Sequence, residues 1–153
     1  MAANDGEHFA LHQARLRPRS RRALLVISDG MDNHSRYSKR ELLAEVLESD
    51  TQIYTIALVN RGFGAKGLTG DEIRRGLAFM DDLAEQSGGV SVRLGDSENP
   101  AAAAARISAA MRSQYILGFQ SPSVPDAARR HSIRVKVDLE RASVHARTGY
   151  QLR

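Results

Sequence analysis

The sequence predicts a three-layer, Rossmann-like α/β fold: a partial parallel sheet with helices on both faces, followed by an antiparallel β tail. Two observations carry this. Short apolar or β-branched runs at 22–27, 52–59 and 90–94 alternate with three helical patterns, the order that builds a parallel sheet through right-handed crossovers. After residue 112 the period drops to two, with Ile133, Val135, Val137 and Leu139 separated by polar residues, as in strands that bury one face.

Taken in order, residues 1–20 are a basic, helical lead-in. His8 and His12 lie four apart there, without the glutamate and third ligand of a helical zinc site, and read as surface residues. Residues 22–27 (RALLVI) form a continuous apolar run that ends in Ser28-Asp29-Gly30, predicting a strand buried on both faces and then a turn. Ser38 and Glu41 have capping-box spacing at the start of a helix whose Leu42, Leu43, Val46 and Leu47 share a face. Residues 52–59 (QIYTIALV) are the second strand.

Thr69 and Glu72 repeat the capping box ahead of a helix with Ile73, Leu77, Met80, Leu83 and Ala84 turned inward, stopped by Gly88-Gly89. Residues 90–94 are a third strand, and Asn99-Pro100 opens an alanine-rich helix. Residues 21–112 thus make the α/β unit. Residues 113–153 make the β extension, with strands expected at 114–119, 132–139 and 144–147 and a proline-containing loop between the first two.

The balance of 42% apolar and 26% charged residues is that of a globular chain, not a disordered one. No run approaches the ~20 apolar residues of a membrane span, and the first twenty residues lack the apolar core of a signal peptide. As written the chain therefore reads as cytoplasmic. Without cysteine there is neither a disulfide framework nor a thiol nucleophile. Arg15, Arg17, Arg19, Arg21 and Arg22 concentrate positive charge, but no interleaved aromatics would stack bases, so nucleic acid is not the expected partner. Gly62, Gly64 and Gly67 match a dinucleotide pattern, yet the helix cap falls at Thr69, beyond the motif, where the amides would miss a pyrophosphate.

The order and spacing of RALLVISDGMDNHSRYS from residue 22, QIYTIA at 52–57 and LAEQSGG at 83–89 resemble von Willebrand factor type A (VWA) domains, in particular the bacterial VWFA-related group. QYILGF at 114–119 and ARTGY at 146–150 resemble that group's closing strands, so the likeness spans about residues 21–151. It implies a non-enzymatic protein-binding or adhesion-type module, in a family often exported. The family's metal-ion-dependent adhesion site (MIDAS) joins an Asp-x-Ser-x-Ser after the first strand, a threonine from a later loop and an aspartate after the fourth strand. Only the last has a counterpart, Asp29, and no Asp-x-Ser-x-Ser occurs here. The resemblance thus implies a truncated domain, its C-terminal half, with an incomplete site.

Asp29 is the candidate metal ligand, with Ser28, Asp32 and Asn33 as auxiliary oxygens and Ser35 nearby. Mg²⁺ asks for about six oxygens near 2.1 Å. One carboxylate does not supply them, so Mg²⁺ or Mn²⁺ is expected only if residues from elsewhere complete the shell. The alternative role for Asp29 is a tight turn whose carboxylate accepts backbone amides. Arg36 and Tyr37, just beyond the turn, are candidates for touching a protein partner. A different class of function, a metal-dependent hydrolase, would rest on Asp29, Asp32 and His34. Because the family's missing first strand would lie beside 22–27, that strand is expected to keep an open apolar edge and to pair with a second copy or a companion chain.

Overall fold

The computed structural model describes residues 3–16, 21–31, 35–59, 69–119 and 130–151. Its elements are α1 (Ala3–Arg15), β1 (Arg22–Ser28), α2 (Lys39–Glu48), β2 (Thr51–Val59), α3 (Gly70–Ser87), β3 (Ser91–Gly95), α4 (Pro100–Arg112), β4 (Arg130–Ser132) and β5 (Gly149–Gln151). The first three strands form a parallel sheet in the order β1-β2-β3, and β4 pairs antiparallel with β5. The chain is therefore α/β, with a three-stranded parallel sheet flanked by helices and a small antiparallel pair.

Local chemistry sets the helix limits. The Ser38 hydroxyl accepts from the Glu41 amide at 3.2 Å while the Glu41 carboxylate accepts from the Ser38 amide at 2.8 Å. Thr69 and Glu72 do the same at 3.3 and 2.7 Å. At the other end of α3, Gly88 takes the left-handed conformation (φ 81°), and a Cβ there would stand 2.7 Å from the backbone nitrogen of Arg147. Asn99 caps α4 by accepting from the Ala101 amide, with Pro100 where no amide partner is needed.

The capping boxes carry a pH dependence. Donation from the Ser38 backbone amide, then from its hydroxyl, holds the Glu41 carboxyl below the ordinary glutamate range, and Thr69 does the same for Glu72. A carboxyl depressed in the folded state stabilises fully above its ordinary pKa and loses that contribution as pH falls through the folded value. The melting temperature of the wild type is expected to drop on acidification through that range. In the Glu41→Gln, Glu72→Gln double variant the drop should be smaller; an unchanged acid slope by calorimetry would contradict the assignment.

The two faces of the sheet are covered unequally. On one, Leu11 of α1, Leu42 and Val46 of α2, and Phe79 and Leu83 of α3 pack on Ile53, with Leu24 and Val26 of β1 against them. On the other, Ala103 and Ile107 of α4 pack on Tyr54, Ile56 and Val92. Among the described residues that cluster draws on β2 and β3 and includes no side chain of β1.

The sequence reading of β1 is corrected here. Its residues alternate between half-buried and exposed, with Leu25 47% and Ile27 59% accessible, so the strand is buried on one face only. The reason is tertiary, since an apolar run fits either one covered face or two, and no described helix lies over the outer end of the second.

The lead-in is also more than a lead-in. Leu11 is fully buried, and α1 is tied to α2 by a His8–Glu45 contact and by Arg15 reaching both Glu45 (3.5 Å) and Glu48 (3.9 Å). His12 stays exposed.

The tail departs from expectation. In place of the strands expected at 114–119, 132–139 and 144–147, the described residues of the tail form a short ladder, Arg130–Ser132 with Gly149–Gln151, extended by the Ile133 amide donating to the Thr148 carbonyl. Of the alternating apolar residues Val135 is half-buried, while Val137 and Leu139 stay exposed. Instead of meeting a partner strand, all three border an open groove of about 650 Å³ together with Tyr54, Val90 and the exposed Leu117. A strand needs hydrogen-bonded neighbours as well as an apolar period.

Candidate functional site

The Ser28-Asp29-Gly30 turn stands at the carboxyl end of β1, the end of an open parallel sheet where ligands gather. Two of its side-chain oxygens bond backbone amides of the turn itself. The Ser28 hydroxyl accepts from the Gly30 amide at 3.1 Å, and Asp29 Oδ1 accepts from the Met31 amide at 3.0 Å. Gly30 is left-handed (φ 72°) and lies against Gly76 of α3, where an added Cβ would meet the Gly76 carbonyl oxygen at 2.3 Å. Two glycines thus let the turn rest directly on a helix backbone.

Past the turn, α1 gathers the chain in. Ser35 Oγ accepts from the Asn4 amide at 3.1 Å, and the Tyr37 carbonyl accepts from Asn4 Nδ2 at 2.9 Å. Asp5 Oδ1 accepts from the amides of Arg36 (2.8 Å) and Tyr37 (3.3 Å). The Tyr37 ring stacks on His8, centroids 3.8 Å apart. Arg36 and Tyr37 therefore clamp α1 to the segment that leads into α2. Asp32, Asn33 and His34 lie outside the described residues, as does the Gly62–Gly67 loop.

Among the described residues the turn offers one carboxylate, Asp29, where Mg²⁺ asks for about six oxygens. Ser28 Oγ and Asp29 Oδ1 accept amides of the turn, and Ser35 Oγ accepts the Asn4 amide. Among the described residues no three or more His, Asp or Glu side chains cluster where they could hold a metal ion, nor is any helix long and apolar enough to cross a membrane.

A second polar group, missed in the sequence, sits at the opposite end of the sheet. Gln114 Nε2 donates to the Tyr54 hydroxyl and to Gln52 Oε1 (2.6 Å), while its own oxygen accepts from Arg21. Burial pushes the Tyr54 hydroxyl up from its ordinary value, opposed in part by Gln114 and by the charge of Arg21. Nearby, Arg147 donates to the Leu47 carbonyl and to Asp50 (2.9 Å). These contacts strap the tail under the amino ends of the strands. The signal was thin: a glutamine after a helix and an arginine in a tail have no local pattern.

No family model, curated protein or solved structure matches the chain.

Proposed function

We propose that the chain is a non-enzymatic, VWA-like protein-binding module whose adhesion site is incomplete, and that it binds through β1. One observation carries the reading: among the described residues β1 is an outer strand of its sheet and leaves Leu25 and Ile27 accessible beside the Asp29 turn. An outer strand offers unpaired backbone groups to an extended segment, with pockets for alternate side chains. An incomplete metal shell makes such binding independent of divalent cations.

Selection of displayed peptides on the immobilised chain tests both parts. Extended, β-branched peptides should be enriched, unaffected by chelator, and lost on Leu25→Lys. Absence of enrichment defeats the binding role. Binding that needs Mg²⁺ or Mn²⁺ and disappears in Asp29→Ala defeats the incomplete site. The hydrolase alternative gains no support from the described residues, since Asp32 and His34 are not among them.

A further inference from the structure

We infer that the occupant of the β1 edge is a second copy of the chain, paired antiparallel about a two-fold axis through Leu25. The inference rests on the binding role proposed for that edge and names its partner.

The direction of the free backbone groups comes first. In a parallel strand the amide and carbonyl of one residue point to the same side, alternately along the chain. The Thr55 amide donates to Val90 on the β3 side, so Tyr54 and Ile56 turn toward β1. With Leu24 opposite Ile53 and Val26 opposite Thr55, it is Leu24 and Val26 that bond to β2. Ala23, Leu25 and Ile27 therefore direct their amides and carbonyls outward. The same three side chains line the uncovered face, and among the described residues no strand lies beyond β1.

Charge then selects the partner and the register. Antiparallel pairing centred on Leu25 sets Leu25 against its own copy and Ala23 against Ile27, so each outward residue meets an outward residue. It also sets Arg21, just before the strand, against Asp29, just after it, once at each end of the pair. Parallel pairing of the same two edges would instead oppose Arg21 to Arg21 and Asp29 to Asp29, which is unfavourable. The arrangement is isologous and closes at two copies, with the uncovered faces continuous across the seam. Arg21 exchanges its single-chain partner, Gln114, for a carboxylate.

The absence of cysteine makes the register directly readable. Residues in a hydrogen-bonded antiparallel pair have Cα atoms ~5.5 Å apart, within disulfide reach. On mild oxidation Leu25→Cys should couple into a covalent dimer. Ala23→Cys alone should not, whereas Ala23→Cys with Ile27→Cys should. Sedimentation of the unmodified chain should give twice the chain mass. Leu25→Lys should give monomer, and Arg21→Asp or Asp29→Arg should each weaken association about 2- to 10-fold, with recovery when combined. A monomer at all concentrations overturns the inference, as does a dimer that survives Leu25→Lys or couples through Ala23→Cys alone. A monomer that still captures β-branched peptides overturns only the second copy; a monomer that captures none overturns the edge itself.

Discussion

Gly30→Ala is expected to destabilise the folded chain by about 2–5 kcal/mol. Alanine in the left-handed region costs roughly 1–2 kcal/mol. Overpacking adds about 1–3, because the new methyl would stand 2.3 Å from the Gly76 carbonyl oxygen and 2.5 Å from its carbon, backbone atoms of a helix that cannot swing aside. Gly76→Ala pushes on the same seam from the other side, meeting the Gly30 carbonyl oxygen at 2.8 Å, and should cost less because its backbone needs no unusual φ. Gly6→Ala is the internal control: nothing lies within 4 Å, and alanine in a helix is worth about 0.5–1 kcal/mol over glycine. Urea midpoints at constant m measure all three. Equal stability of Gly30→Ala and wild type would mean that the turn does not rest on α3.

Leu11→Ala is expected to cost about 2–5 kcal/mol, the range for emptying a buried leucine site. Leu11 is fully buried among Leu42, Val46 and Phe79, whereas Phe9 on the same helix is 64% exposed. Phe9→Ala should therefore stay within about 0.5 kcal/mol. If the two substitutions cost the same, α1 is an appendage, not part of the core.

What the sequence discloses depends on how far apart the interacting groups lie. Ser38 with Glu41 and Thr69 with Glu72 are legible because cap and partner are separated by three residues, and the observed bonds join those atoms. Asn99-Pro100 and Gly88 are legible for the same reason. The packing of α1 is not, because a single deeply buried leucine gives no apolar stripe to read. Nor does the run at 22–27 reveal that only one of its faces is covered. That depends on where α4, far along the chain, comes to rest.

At the candidate site, the turn itself was readable from Asp29-Gly30, while its seat on Gly76 was not, since a glycine within a helix has no local signature of the contact it permits. The tail shows the limit of periodicity. Alternation at Ile133, Val135 and Val137 predicts an inward face and is silent about whether a strand will be present to pair with.

Strand order in space repeats strand order in the chain, β1-β2-β3. Each strand is added to the outer flank of the one before it, so no later segment must be threaded between two that have already paired. During synthesis, β1 can close on β2 around α2 as soon as residue 59 is free, and among the described residues no later strand joins the outward side of β1. The edge is thus formed before α4 and the tail have been translated.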